Sequence, residues 1–248
     1  LDVVTTLVSR GAAIDAPDQW GGTPLQQACS KGHIEVARFL LSKGASAHSR
    51  YHDGRSVLNM AVRGLNAELL GLLLDAGADL QSKQPTFTPL AFACFEGTAE
   101  QVELLLRRGA RTEIPIDYMG FRGTTPLMFA ARSGDIETAR HLLDAGADIN
   151  QATAEYGNPL VIASASGHED LALYLLEAGA DPESKDENGV TALHHAHQNG
   201  LSTMYGVTYD PAYRTRPENM PRLARALLEA GVDPNVQITT NYFIGPAI

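Results

Sequence analysis

The chain has 248 residues, of which 44% are hydrophobic and 19% charged, a composition that excludes an intrinsically disordered chain. No apolar run reaches the about 18 residues of a membrane-spanning helix, so we expect no membrane span. The net charge of −10 argues against nucleic acid as a partner. Two cysteines exclude a disulfide framework.

Acidic residues are concentrated in the second half of the chain. Residues 1–124 have a net charge of −1, whereas residues 125–248 have a net charge of −9. Between Asp135 and Glu187 there are 12 acidic residues and only two basic ones. We therefore expect a protein partner with a basic surface to be preferred by this segment.

Two short patterns recur along the chain with one spacing. The first is a Thr-Pro-Leu-like triplet, repeated at intervals of 33, 32, 37, 33 and 33 residues. The second, of the form Leu-Leu-x-x-Gly-Ala, follows each of the first five triplets at a fixed offset. A period of this length in two unrelated patterns is typical of a repeat array. The triplets begin at Thr23, Ser56, Thr88, Thr125, Asn158 and Thr191.

Each repeat predicts two short helices. In the first full repeat, Thr23 suits a helix N-cap, Pro24 suits the first turn, and Gly32 suits the position after the helix end. A second helix follows and ends at Gly44. One repeat cannot bury its apolar face alone, so neighbouring repeats must stack. The residues expected to face inward are Leu25, Ala28, Cys29, Val36, Phe39, Leu40 and Leu41.

These motifs resemble the ankyrin repeat over essentially the whole chain. The resemblance implies an all-α solenoid of stacked helix–turn–helix units with protruding β-hairpin or loop fingers. On this resemblance, residues 1–248 are expected to form a single array. The array begins with a partial repeat, 1–22, and ends with the start of a truncated repeat, 239–248. The full repeats are predicted to be 23–55, 56–87, 88–124, 125–157, 158–190 and 191–238.

The sequence departs from this family pattern at three places. The histidine that normally follows Thr-Pro-Leu and supports the finger is present only at His194, so we expect weaker finger support at positions such as Gln26 and Asn59. Gly64 lies one position early, which predicts an irregular helix end. The last full repeat contains a 19-residue insert near 201–219. Its three tyrosines favour ordered packing and make it a second candidate contact region.

Both ends of the chain have atypical repeats. Residues 1–10 have the pattern of a second helix without its first, and neither end has a polar cap. This favours an alternative function, in which the array is the regulatory or positioning arm of a larger enzyme, channel or toxin and binds other domains of its own chain. Low cysteine content makes the cytoplasm the default location, but the missing initial methionine leaves export open.

The sequence contains no arrangement typical of catalysis or of cofactor binding. Neither a nucleophilic triad nor a glycine-rich phosphate loop is present, so we predict no enzyme activity and no cofactor. Metal or small-molecule binding at His194–His197 or at the insert remains an alternative, although these histidines occupy ordinary repeat positions. Core packing is the favoured role for Cys29, Cys94, Met60, Phe92, Phe129 and Ile162.

Aromatic residues indicate where a partner would bind. Eight of the sixteen lie in predicted fingers, where a core role explains few of them, and aromatic and arginine side chains dominate interface hot spots. We therefore predict a non-catalytic protein-interaction scaffold that binds through its fingers and the concave face of its inner helices, with the middle repeats as the centre of contact. The candidate contact residues are Trp20, Tyr51, Arg55, Arg63, Phe87, Phe95, Glu96, Tyr118, Phe121, Arg122, Arg132 and Tyr156. The resemblance also implies that the residues seven and eight positions after the start of each triplet are exposed for binding, namely Ser30, Lys31, Arg63, Gly64, Phe95, Glu96, Arg132, Ser133, Ala165, Ser166, Gln198 and Asn199.

Overall fold

A computed structural model describes residues 1–81, 88–118, 121–197 and 220–236, with the backbone alone for residues 116–118, 121 and 197. The chain divides into two compact units. The first comprises residues 1–126 with 144–146, and the second comprises residues 127–143 with those from 147 onward.

The first unit consists of paired helices in two rows. Helices α2, α4 and α6 pack side by side as the inner row, and each is followed by an outer helix that packs against it. The outer helices α3, α5 and α7 contact one another in the same order. The seven helices described in this unit are α1 (Asp2–Ser9), α2 (Pro24–Ser30), α3 (Ile34–Ser42), α4 (Val57–Arg63), α5 (Ala67–Asp75), α6 (Pro89–Glu96) and α7 (Ala99–Arg107).

A β-hairpin follows α7. Strand β1 (Ile116–Tyr118) pairs antiparallel with β2 (Phe121–Thr124), with an irregularity between Ile116 and Asp117. The spacing of 37 residues between the triplets that begin at Thr88 and Thr125 predicts an enlarged finger between them, and the hairpin lies in this finger. The finger before α4 has a single bridge between Arg50 and Ser56.

The second unit repeats the helix–turn–helix arrangement. Helix α10 packs against α11 and α12, and α13 packs against both α11 and α12. Helix α13 therefore completes the pair begun by α12, on the far side of the predicted insert, which lies outside the described residues. The helices are α8 (Pro126–Ser133), α9 (Ile136–Asp144), α10 (Pro159–Ser166), α11 (Glu169–Glu177), α12 (Ala192–His197) and α13 (Pro221–Glu229).

Side chains at the start of each triplet determine where the inner helices begin. Thr23, Ser56, Thr88 and Asn158 all accept a hydrogen bond from the backbone amide three residues later, as N-cap residues do. These caps satisfy amides that have no partner within the helix. The predicted all-α class and the predicted helix starts are thus confirmed.

Gln26 replaces the family histidine and supports the finger through hydrogen bonds. Its Oε1 accepts from the Thr23 amide at 2.9 Å, and its Nε2 donates to the Ser49 carbonyl at 3.4 Å. The expectation of weaker finger support was therefore wrong at Gln26, because an amide side chain presents the same acceptor and donor as a neutral imidazole. Asn59 Oδ1 accepts from the Ser56 amide at 2.9 Å, which closes the cap of α4.

The core follows the predicted repeat positions with one correction. Leu25, Ala28 and Cys29 are buried, as are Cys94 and the four apolar residues that lie four positions after the start of a later triplet. In α3 only Leu40 of the predicted set is buried, together with Ala37. The other three lie half-exposed because they occupy the flanks of a helix that packs along one side. The four buried residues of the later repeats are Met60, Phe92, Phe129 and Ile162. The three half-exposed residues of α3 are Val36, Phe39 and Leu41.

The irregular end predicted for α4 is present. Gly64 is the C-cap residue with a right-handed backbone, and Leu65 takes the left-handed conformation with φ of +50°. A Cβ atom on Gly64 would lie 2.3 Å from the carbonyl oxygen of Cys29. Only glycine fits at position 64 because of this close approach. The next residue, Leu65, therefore adopts the left-handed conformation that a glycine normally adopts after a helix end.

Candidate protein-binding surface

A cleft of about 640 Å³ opens on the first unit. It lies where the fingers that precede α2 and α4 meet those two inner helices. Four predicted contact residues, Trp20, Tyr51, Arg55 and Arg63, line it together. The complete lining, called the finger cleft below, is Trp20, Gln27, Ser30, Lys31, Tyr51, His52, Asp53, Arg55, Met60 and Arg63.

Asp18 shapes the finger that presents Trp20. Its Oδ1 accepts hydrogen bonds from the amides of Trp20 at 2.9 Å and Gly22 at 2.8 Å, and the Asp18 amide donates to the Gly22 carbonyl at 2.8 Å. The bonds from Gly22 and Trp20 lower the pKa of the Asp18 carboxyl, because they stabilise its ionised form. The resulting tight turn leaves the Trp20 side chain 63% exposed.

Two adjacent glycines bring this finger against the next one. The Trp20 carbonyl accepts a hydrogen bond from the His52 amide at 2.9 Å. A Cβ atom on Gly21 would lie 2.6 Å from His52 Cδ2, and one on Gly22 would lie 2.5 Å from Tyr51 Cε1. Side chains at these two positions would therefore separate the fingers and divide the aromatic wall formed by Trp20 and Tyr51.

Tyr51 is held by a short hydrogen-bonded chain. Gln27 Nε2 donates to the Tyr51 hydroxyl oxygen at 3.1 Å and to Asp18 Oδ2 at 3.2 Å. Burial, with a further contribution from the charge of Asp18, raises the pKa of the Tyr51 phenol. The phenol thus stays protonated at neutral pH and remains a hydrogen-bond donor.

Two arginines line the cleft and have different partners. The Arg55 guanidinium lies 5.3 Å from the centre of the Tyr51 ring, and its Nε lies 2.7 Å from Asp53 Oδ2. Arg63 Nε lies 3.8 Å from Glu96 Oε2, which places the end of α6 beside the cleft. The neighbouring Phe95 is 47% exposed, as its repeat position predicted.

The remaining predicted contact residues whose side chains the structure describes do not line this cleft. Arg122 is exposed on β2, whereas Arg132 and Tyr156 are half-exposed in the second unit. Phe87 lies outside the described residues, as do the side chains of Tyr118 and Phe121. Their roles remain predictions, as does the choice of the middle repeats as the centre of contact.

Sequence reasoning missed four lining residues and misplaced one exposed position. Gln27, His52, Asp53 and Met60 line the cleft but were neither predicted contacts nor at repeat positions expected to be exposed. Gln27 carried a signal, because it is polar where four of the five later repeats have a buried apolar residue. Ala165, expected to be exposed by its repeat position, is buried at 7% exposure, because the small methyl group packs within the second unit.

The histidine cluster shows structural contacts. His194 Nδ1 accepts a hydrogen bond from the Thr191 amide at 3.1 Å, and Nε2 lies 3.1 Å from the Val236 carbonyl oxygen. Because a carbonyl oxygen can only accept, Nε2 carries the ring proton and donates it to Val236. Both ring nitrogens are therefore occupied. The His197 side chain lies outside the described residues. Among the residues that the structure describes, no group of three or more His, Cys, Asp or Glu is arranged to hold a metal ion.

Comparison with known families agrees with these helix pairs and fingers. The family model described as ankyrin repeats in three copies matches residues 1–84 and 82–153, and the one described as ankyrin repeats in many copies matches residues 160–203. This chain belongs to the ankyrin-repeat family. Ankyrin repeats are protein-interaction modules and are generally non-catalytic.

Similar curated proteins have diverse functions. The chain is 31% identical over 173 residues to the human transient receptor potential cation channel subfamily A member 1, covering 54% of this chain and 15% of the channel. It is 31% identical over 165 residues to the probable E3 ubiquitin-protein ligase XBOS32 of Oryza sativa subsp. japonica, covering 63% and 30%. It is 35% identical over 94 residues to the NF-kappa-B inhibitor cactus of Drosophila melanogaster, covering 36% and 19%.

These ankyrin relatives are all much longer than the matched region. The chain spans less than a third of the length of each of the three.

Within the described residues, none of the helices of this chain combines the length and apolarity required to cross a membrane.

Proposed function

We propose that this ankyrin array is a non-catalytic scaffold that binds a partner protein at the finger cleft. The observation that carries the proposal is the side chain of Trp20, which stands 63% exposed on a finger fixed by Asp18. A large aromatic side chain held in solvent by a rigid turn has no folding role to explain it. Such residues supply much of the binding energy in protein interfaces.

The rigidity of the cleft supports the proposal. Gln27, Tyr51 and Asp18 are linked by hydrogen bonds, and the two fingers are joined through the Trp20 carbonyl. A partner would therefore meet side chains that are already ordered, and binding would require little loss of conformational entropy. Phe95 and Glu96, beside Arg63, extend this surface along α6.

A paired capture experiment tests the proposal. Wild type, Trp20→Ala and Leu228→Ala are immobilised in equal amounts, and the proteins that each retains are compared by quantitative mass spectrometry. Leu228 is a matched control because it is exposed on α13 in the second unit. We expect a set of retained proteins that depends on Trp20 and not on Leu228. Retention of the same proteins in the same amounts by Trp20→Ala would contradict binding at the finger cleft.

The acidic second half of the chain supports a second contact. We propose that residues 135–187 attract a basic region of the partner, since this segment has 12 acidic and two basic residues. The attraction should raise the association rate at low ionic strength and be screened at high ionic strength. Association rates of the captured partner that do not change with salt would contradict this electrostatic contribution.

A further inference from the structure

The finger cleft has the opposite charge balance to the chain as a whole. Its lining contains three basic residues, Lys31, Arg55 and Arg63, and one acidic residue, Asp53. The whole chain has 29 acidic and 19 basic residues. The carboxylates of Asp18 and Glu96 lie beside this lining, so the partner chemistry depends on which of the basic side chains are left incompletely neutralised.

The three basic side chains differ in how fully they are neutralised. Arg55 is held against both Asp53 and the Tyr51 ring. Arg63 lies 3.8 Å from Glu96, which is an ion pair but too long for a hydrogen bond. Lys31 is exposed and forms no ion pair within the part of the chain that the structure describes. Lys31 and Arg63 therefore keep donors that a ligand can use.

The Tyr51 hydroxyl adds a neutral donor to these two cations. Its oxygen accepts a hydrogen bond from Gln27, and among the described residues its proton has no acceptor. The nearby Asp18 carboxylate keeps its negative charge, but its oxygens already accept bonds from two amides and from Gln27, so it offers a ligand few further acceptor positions. The unused polar groups identified in the cleft are thus donors, which match an anionic ligand.

We infer that the finger cleft binds an acidic segment of the partner protein, with a carboxylate side chain at Lys31 and Arg63 and an adjacent apolar side chain on Trp20. This inference rests on the proposed function and specifies the chemistry of its ligand. An extended peptide fits because the cleft is open and is lined by both basic and apolar side chains. The apolar contact on Trp20 supplies affinity, and hydrogen bonds between charged groups add affinity and orient the carboxylate.

Glu96 occupies a competing position in this arrangement. Its carboxylate already lies beside Arg63, so an incoming carboxylate must displace it or share the guanidinium. Removal of the Glu96 charge should therefore strengthen the binding of an acidic peptide and weaken that of a basic one. The sign of this effect distinguishes the two partner chemistries.

The experiment uses a pool of short synthetic peptides in which Glu or Asp is followed by Leu or Phe, each paired with its Gln or Asn counterpart. Binding to the full chain is measured by fluorescence anisotropy, and circular dichroism checks that every variant is folded. We expect the acidic peptides to bind about tenfold more tightly than their amide counterparts. Lys31→Gln and Arg63→Gln should remove this preference, Glu96→Gln should increase it, and the control Arg107→Gln on α7 should leave it unchanged.

The possible failures are distinguishable. Equal binding of acidic and amide peptides, still lost in Trp20→Ala, would overturn the acidic ligand but leave the finger cleft as the binding site. A third set of peptides, with Lys in place of Glu or Asp, serves as the basic control. A preference for this set that weakens in Glu96→Gln would also overturn the acidic ligand. Absence of any peptide binding that depends on Trp20 would overturn this inference and count against the proposed function.

Discussion

Glu169 accepts two hydrogen bonds from Arg222, one from the backbone amide at 2.9 Å and one from the guanidinium Nε at 3.0 Å. Glu169 Oε1 also accepts from the Leu223 amide at 3.2 Å. Helix α13 is thus capped by a residue of α11, while its own N-cap residue, Met220, makes no side-chain capping bond. This contact fixes the start of α13 on the far side of the insert from α12.

Glu169→Ala should lower the free energy of unfolding of the second unit by about 1–2 kcal/mol, the sum of a lost helix cap and a partly exposed ion pair. The amides of the first turn of α13 should then exchange hydrogen faster, as measured by mass spectrometry. Asp170→Asn is the matched control, because Asp170 contacts only the exposed guanidinium of Arg222. Unchanged exchange in Glu169→Ala would show that the cap does not hold this helix.

Leu65→Gly should raise the free energy of unfolding by about 0.5–1 kcal/mol. The left-handed backbone is unfavourable for leucine, and this gain exceeds the extra entropy that glycine has in the unfolded chain. The side chain is 60% exposed, so little buried area is lost. Gly64→Ala should have the opposite effect, because its Cβ would collide with the Cys29 carbonyl. Urea denaturation measures both, and a destabilising Leu65→Gly would contradict this account of the helix end.

Core and surface substitutions should separate stability from binding. Leu40→Ala and Leu142→Ala remove fully buried side chains and should each lower the free energy of unfolding by about 2–5 kcal/mol. Trp20→Ala and Phe95→Ala should change it by less than about 0.5 kcal/mol, because both side chains are exposed. Thermal denaturation checks all four, and a large loss of stability in Phe95→Ala would show that Phe95 belongs to the core.

The sequence predicted the repeats well because each relies on local chemistry. Thr23 and Pro24 begin a helix wherever they occur in this pattern, and Gly32 and Gly44 adopt positive φ after the helix ends. The irregular end at Gly64 was also readable, since a single glycine displaced by one position changes the local backbone. These features depend on a few neighbouring residues.

The cleft was less predictable because it depends on contacts between fingers. Nothing in the pattern around Trp20 indicates that its carbonyl meets the His52 amide, or that Gln27 bridges Asp18 and Tyr51. The burial of Ala165 likewise depends on tertiary packing within the second unit. Exposure read from a repeat position therefore identifies candidate residues but not which of them share one surface.

Gly71 in α5 is not required by the packing around it. A Cβ atom at this position would have its nearest contact at 3.9 Å, with Leu104 Cδ2. Gly71→Ala should therefore raise the free energy of unfolding by about 0.5–1 kcal/mol through helix propensity alone. Gly97→Ala is the opposite case, because its Cβ would lie 2.8 Å from the Ala93 backbone. Equal effects of the two substitutions in chemical denaturation would contradict this distinction.

Cys29 should act as a probe of unfolding. Burial raises the pKa of its thiol from an ordinary 9.0 to about 12, so the reactive thiolate is suppressed in the folded protein. Between these two pH values the unfolded chain releases the thiol proton while the folded chain retains it, so this group makes stability fall as pH rises through that window. In a Cys94→Ala background, a thiol reagent at neutral pH should label Cys29 only as the protein unfolds. Rapid labelling under native conditions would show that α2 opens locally without global unfolding.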